Sequence, residues 1–365
     1  MTKNFLFVCG DIGGTMMMIP VAQVLQSVGH NVKFVADGEG IGYQKLLEAR
    51  VSFEVHFEPN YHGSNDEIDL VFISTCASAN KVEKSYAQAF HGVRPVVFGA
   101  DGFFNHGYKW REDVADFWFA INEAHAEAIR RLRPGLDFIK VKVVGQPAFD
   151  ACLDLIPLRD QIRQKIRSEL RISDEESVFL WWSQGMSEVI EEDVEMVQTA
   201  IQQMPSVTPR PVFIPRIHPK LDKLREGFVA EIRKTVADCC EKEGVRLVQA
   251  DKVQNEHLCL SAEAVLSITA TDDIKNWLMG GPPVIHLMGP RVRQWFEESL
   301  RLTPPDYLPD VQAGEALAVR AESDWPSAIT DALDQEKVRF LRRNWQMPEA
   351  SATDRAANTL IEIVS

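Results

Sequence analysis

The sequence predicts an α/β protein built from two Rossmann-like, doubly wound parallel-sheet domains. Three observations lead there. Short apolar runs alternate with amphipathic stretches, the runs fall into two series, and 365 residues exceed one comfortable core but suit two of ordinary size.

The first series lies within the first 150 residues: FLFVC, VKFVA, VSFEVHF, DLVFIS, RPVVFG, DFWFAI and IKVKVVG. Each reads as a strand feeding an amphipathic segment, the pattern of βα units. The second series is VFLWW, PVFIP, VRLVQ, AVLSIT and PPVIHL, with helical patterns at 187–203 and 220–240 in its gaps. Between the two lies GQPAFDACLDLIPLRDQ, where Pro147 and Pro157 interrupt a short helical pattern, and the domain junction is placed there. The tail is helical, most clearly at PSAITDALDQ and ATDRAANTLIEIV. The expected division is therefore 1–150, 151–335 and a helical extension, 336–365, packing back toward the first domain.

Composition narrows the function. With 45% hydrophobic and 25% charged residues the chain reads as globular and soluble. No apolar run approaches the ~20 residues of a membrane helix, and FLFVC is too short for a signal-peptide core. A cytoplasmic address with at most peripheral membrane contact is expected. The net charge of −14 argues against a nucleic-acid partner, which needs a basic face. The six cysteines, Cys9, Cys76, Cys152, Cys239, Cys240 and Cys259, show no CxxC pair and no metal-ligand spacing. They read as reduced, mostly buried thiols, with no metal site among them.

Doubly wound domains bind ligands at the carboxyl ends of their strands, and two such sheets facing each other would share a cleft. Five strand-end loops stand out. In CGDIGGTMMMIPVAQVL (9–25), Gly10, Gly13 and Gly14 allow a tight turn and close approach to a ligand, without the lysine of a phosphate loop. Asp11 reads equally as a base or a helix-capping acid, and Met16, Met17 and Met18 as channel lining or, more simply, core packing. In FGADGFFNHGYKW (98–110), Asp101 is a candidate base beside aromatics and His106, or the acid of a plain Asp-Gly turn. In WWSQGMSEV (181–189), Ser183, Gln184 and Gly185 offer a hydroxyl, an amide and backbone N–H groups at a helix start, a cradle for phosphate oxygens; Ser183 or Ser187 as N-cap is the alternative. In FIPRIHPK (213–220), Pro215 and Pro219 stiffen a strand exit, so that Arg216, His218 and Lys220 can meet one anion. In SITATDDIKNWLMGGPPVIHL (267–287), Thr269 and Thr271 can donate to phosphates and Asp272 or Asp273 can accept from a ribose, although helix capping also explains these residues.

The order and spacing of these loops resemble the GT-B superfamily of nucleotide-sugar glycosyltransferases and UDP-N-acetylglucosamine 2-epimerases. GDIGGTMMMIPVAQVL has the epimerases' glycine-to-proline spacing, and NEAHAEAIRRL with VKVVGQPAFDACLDL is similar to their TE…L…VTGN…DAL segment, which sets Glu123 on a catalytic carboxylate. The chain departs from the epimerases elsewhere: where they have His-Gly-Asp-Thr it has STCAS, with Cys76 at the acid, and WWSQG replaces their His-Arg-x-Glu-Asn signature. SQG is similar to the GGSQG donor loop of the peptidoglycan N-acetylglucosaminyltransferase, and Asn276 stands where that family holds ribose with a glutamate. GT-B sialyltransferases and capsule transferases carry an Asp/Glu-Asp/Glu-Gly motif, a His-Pro motif and a Ser/Thr pair; Asp101-Gly102, with Ala100 in place of one acid, His218-Pro219 and Thr269/Thr271 occur here in that order.

The resemblance implies a metal-independent glycosyltransferase of polysaccharide biosynthesis, moving a sugar from a nucleotide-activated donor to a hydroxyl on a saccharide, lipid-linked sugar or small molecule. The first domain would take the acceptor and the second the donor. The catalytic candidates are Asp101, Asp11 and Glu123; Gly13, Gly14, Thr15 and His106 form the acceptor loop; Ser183, Gln184, Gly185, Arg216, His218, Lys220, Thr269, Thr271 and Asp272 bind the donor and its phosphate. No cofactor is implied beyond the nucleotide sugar, and a homodimer is open. A 2-epimerase or nucleotide-sugar hydrolase, or a non-catalytic nucleotide-sugar-binding protein, is the alternative.

Overall fold

In β1 (Asn4–Cys9) nearly every residue is buried, which a strand tolerates only when helices cover both faces of its sheet. The computed structural model describes residues 1–57, 67–74, 81–103, 114–133, 140–300, 302 and 308–365. It divides into two units, Met1–Ala151 with Pro348–Ser365, and Cys152–Met347. The return to the first unit thus begins at Pro348 rather than at residue 336.

The first unit runs β1, α1 (Ile12–Ser27), β2 (Asn31–Asp37), α2 (Tyr43–Glu48), β3 (Phe53–His56), β4 (Leu70–Ser74), α3 (Lys81–Phe90), β5 (Val96–Gly99), β6 (Phe117–Ala120), α4 (Glu123–Leu132) and β7 (Val141–Val143). Among the described residues its seven strands are all parallel in the order β3-β2-β1-β4-β5-β6-β7, so the chain reverses direction across the sheet between β1 and β4. Alternation sends Phe5, Phe7 and Cys9 to one face, against Met17, Met18 and Leu25 of α1, and Leu6 and Val8 to the other, against Val82 and Phe90 of α3. Met17 and Met18 are therefore core residues, while Met16 is exposed.

The units divide within a 3-10 stretch over Pro147–Leu158, where the sequence placed the junction. The second unit continues from it. It runs α5 (Arg159–Glu169), β8 (Ser177–Trp182), α6 (Ile190–Val207), β9 (Pro211–Arg216), α7 (Leu221–Leu224), α8 (Phe228–Glu243), β10 (Arg246–Leu247), α9 (Asn255–Ser261), β11 (Ala264–Ser267), α10 (Thr271–Leu278), β12 (Val284–Leu287), α11 (Pro290–Leu300), α12 (Pro309–Gln312), β13 (Leu317–Val319), α13 (Trp325–Leu333) and α14 (Gln335–Leu341). The six parallel strands are ordered β10-β9-β8-β11-β12-β13, the first sheet's pattern repeated. The helix expected over 220–240 is two, because Gly227 at φ 75° turns the chain between α7 and α8. Strand β13 was not expected: three residues in an alanine-rich run carry too little alternation to announce themselves.

The last helix, α15 (Ala352–Ile363), sets Ala356, Ala357 and Leu360 in the α1 face of the first core. Asp150 fixes it, accepting hydrogen bonds from Ala352 N–H at 2.7 Å and Thr353 N–H at 2.8 Å. All described cysteines are buried free thiols, and Cys76 lies outside the described residues. Among the described residues no helix is long and apolar enough to cross a membrane.

Candidate functional site

In the second unit β8 and β11 flank the point where strand order reverses, and the loops leaving β8, β9 and β11 are tied together there. The β8–β9 ladder extends past the strands: Ser183 N–H donates to the Arg216 carbonyl at 3.1 Å, and His218 N–H donates to Ser183 Oγ at 2.8 Å. Gln184 crosses to the other side, its Nε2 donating to the Thr269 carbonyl at 2.6 Å. A Cβ on Gly185 would stand 2.8 Å from His218 Nδ1, so only glycine lets that loop lie against the imidazole.

These bonds correct the simpler readings of the SQG turn. Helix α6 begins at Ile190, several residues later, and its N-cap is Val189, so neither Ser183 nor Ser187 caps it. Nor do the turn's amides form a helix-start cradle. Gln184 N–H is held at 2.8 Å by Asp193, whose other oxygen takes the Trp181 indole N–H at 3.0 Å, so Gly185 remains as the turn's amide for a ligand. The sequence reading missed Asp193. It lies on the buried stripe Ile190, Asp193, Val197, Ala200, Ile201, Met204, and an acid at an apolar position of a helix is the signal that marks it. Burial pushes its carboxyl up to about 7, opposed by those two hydrogen bonds.

His218 is exposed at its edge but rests on this loop. Lys220 N–H donates to its Nδ1 at 3.1 Å, which makes the neutral ring an Nε2–H donor. Partial desolvation, then the Lys220 charge, pull its pKa down, with Asp272 opposing. Arg216 is anchored through Nη1 to the Ala250 carbonyl at 3.0 Å, and the Lys220 side chain is exposed. Thr269 is buried and Thr271 exposed as the first residue of α10. The capping role falls to Asp273, which accepts from Ala270 N–H at 2.7 Å and Ser267 Oγ at 3.0 Å. Asp272 instead accepts from Asn255 Nδ2 at 2.7 Å and pairs with Lys275 at 2.9 Å.

In the first unit the loop after β1 is a wedge of bare backbone. Gly42 N–H donates to the Gly10 carbonyl at 2.8 Å. A Cβ on Gly13 would overlap the Asp101 carboxylate, and one on Gly14 would overlap Ser74. Asp101 thus meets the first turn of α1, where helix-terminal N–H groups favour a carboxylate. Asp11 occupies the N-cap position of α1, yet its side chain makes no capping hydrogen bond, so the capping reading does not hold. Its carbonyl accepts from Thr15 Oγ1 at 2.8 Å, and Thr15 is buried. Buried Ser74 donates to buried Glu83 at 2.6 Å. Burial foremost, with Glu83 and Asp37 adding to it against a Thr15 hydrogen bond, pushes the Cys9 thiol up to about 12. Glu123 stands apart on the first turn of α4, its side chain 79% exposed and 3.8 Å from Arg130. His106 lies outside the described residues. Among those described, no group of three or more His, Cys, Asp or Glu is placed to hold a metal ion.

No protein-family model matches the chain, and no curated protein does. Solved structures do. The UDP-GlcNAc 2-epimerase of Methanocaldococcus jannaschii, crystallised with UDP-GlcNAc and UDP, superposes with a TM-score of 0.63 at 13% identity, over 99% of this chain and 100% of that one. MurG of Acinetobacter baumannii gives 0.60 at 12% identity, over 99% of each chain. Alr3699/HepE of Anabaena, in complex with UDP and glucose, gives 0.57 at 14%, over 99% and 100%. These are GT-B fold proteins, and this chain has the GT-B fold.

Proposed function

We propose that this protein is a glycosyltransferase that takes a sugar from a nucleotide-activated donor. The observation that carries this reading is the hydrogen-bonded junction of three loops in the second unit, Ser183–Gly185, Arg216–Lys220 and Thr269–Asp272, which gathers an arginine, a lysine and a neutral histidine Nε2–H at the carboxyl ends of the strands. It is supported by two solved structures of the same fold that hold UDP.

The chemistry is a single displacement with inversion. Asp101 takes the proton of an acceptor hydroxyl as its oxygen bonds to the anomeric carbon. The bond from that carbon to the donor phosphate breaks, and the nucleotide leaves with the electron pair. Arg216, Lys220 and His218 Nε2–H stabilise the charge growing on the phosphate oxygen, aided by the Gly185 amide. Asp193 acts through Gln184, holding the loop rather than touching the donor.

A thermal-shift screen with UDP, CMP, CDP, GDP and dTDP tests the binding step. The matching nucleotide at 100 times its Kd should stabilise the fold by about 2.7 kcal/mol. Replacing His218 by alanine should weaken that nucleotide roughly tenfold and slow turnover; unchanged affinity and turnover would sink the assignment. Incubation with donor alone separates the alternatives, since free nucleotide released without acceptor marks an epimerase or hydrolase, and intact donor with acceptor present marks a binding protein.

A further inference from the structure

At the opposite, amino-terminal end of the second sheet lies a cavity of about 310 Å³ that the proposed reaction does not use. It is walled by the residues entering β11 (Ala262, Glu263), those entering β12 (Gly280–Pro283), the start of α5 and the α13–α14 turn. Ala262 and Thr269 lie beyond opposite ends of β11 (Ala264–Ser267), seven residues apart in the chain and roughly 20 Å apart along the strand direction.

Three arginines, Arg159, Arg163 and Arg342, line this space, with the acids Asp160 and Glu263. Glu263 is already committed: it pairs with Arg163, pairs with Arg167 at 3.2 Å and accepts from Val178 N–H at 2.6 Å. Asp160 is 93% exposed and only 3.7 Å from Arg159 at its nearest approach, a solvent-screened pair. Arg342 has no carboxylate among the described residues. It donates to the Gly281 carbonyl, and its buried Nε–H has no hydrogen-bond partner among the described residues. Burial, and after it the Arg159 charge, draw its pKa down to about 10. A chain that directs two cations into one cavity, and leaves one half-satisfied, incurs a desolvation and repulsion cost that an anion would remove.

We propose that this cavity is a second ligand site, for a small phosphate monoester whose phosphate bridges Arg159 and Arg342. A planar guanidinium suits phosphate oxygens. The volume exceeds what phosphate alone fills, and Leu260, Pro283, Leu333 and Val338 line the remainder for the ester's organic part. The wall behind Arg342 is rigid, because Asn276 Nδ2 donates to the Pro282 carbonyl at 2.7 Å and Gly281 N–H to the Asn276 carbonyl at 2.9 Å.

The test is calorimetric titration of a hexose monophosphate into the intact chain carrying His218→Ala, which weakens the loop site at the other end, with potassium chloride of equal ionic strength as control. Saturable binding is expected, and adding Arg159→Gln should weaken it roughly tenfold, the loss of one charge-assisted hydrogen bond. Arg342→Gln should abolish it, but Arg342 also braces Gly281, so Arg159→Gln at the exposed rim is the deciding variant. Heat no larger than that of chloride, or equal affinity with and without Arg159→Gln, overturns the proposal.

Discussion

The two sheets share one strand order and carry opposite chemistry at the carboxyl ends of their strands. In the first unit, glycine backbone presses against Asp101 and Ser74, and the nearby buried side chains Asp37 and Glu83 are acids. In the second, a longer loop delays α6 to Ile190 and is tied sideways to its neighbours, where Arg216, His218 and Lys220 gather. Topology decided where the loops stand, and the loop residues decided what each rim can do. The same contrast recurs in the cores. His125 of the first unit is buried, with the Arg133 charge beside it, and its pKa falls to about 3; His286 of the second is buried against Asp310 at 2.8 Å, with Asp273 near, and its pKa rises to about 9.

That comparison can be broken or sharpened by experiment. The largest effect should come from Asp101→Asn, which is expected to cut turnover by roughly 10²- to 10⁴-fold while leaving nucleotide affinity as it was. Loss of nucleotide binding instead would erase the division of labour between the two rims. The histidines come next. His125 binds no proton when folded but does so near 6.5 when unfolded, so it removes stability from the first unit as pH falls from 6.5 toward 3. His286 is protonated when folded, so its contribution is complete below 6.5 and lost as pH rises through about 9. Hydrogen exchange should therefore show α4 loosening on the acid side and β12 on the alkaline side; parallel loosening of both would refute the assigned charge states. Smaller again is Gly14→Ala, whose Cβ meets Ser74 and should destabilise the first unit by about 1–3 kcal/mol in denaturant melts. Smallest is Gly185→Ala, where only the His218 ring must move; global stability should hardly change while nucleotide affinity drops. Equal melting shifts for the two variants would show that both loops are equally rigid.

Much of the fold was legible in the sequence, because strands buried on both faces must be apolar throughout and helices between them must be one-sided. All twelve runs read as strands contain one, and the stretch around Pro147 and Pro157 is where the units divide. Strand β13 and the break at Gly227 escaped because a three-residue strand and one left-handed glycine leave no periodicity. The loops were legible as loops, through glycine, proline and hydroxyl residues at strand exits, but their internal wiring was not. Nothing in SQG says that Gln184 N–H is already taken by Asp193, and nothing in TDD says that Asp273 caps while Asp272 pairs with Lys275.

The sequence by itself determined two parallel-sheet domains and the addresses of their strand-end loops, since periodicity and turn residues act over a few neighbours. Only the tertiary structure decided which polar groups are spoken for, because hydrogen bonds such as Gln184 to Thr269 join residues far apart in the chain. The arginine-lined cavity is of the same kind: Arg159, Glu263 and Arg342 come from three distant segments, and no local pattern announces that they line one space.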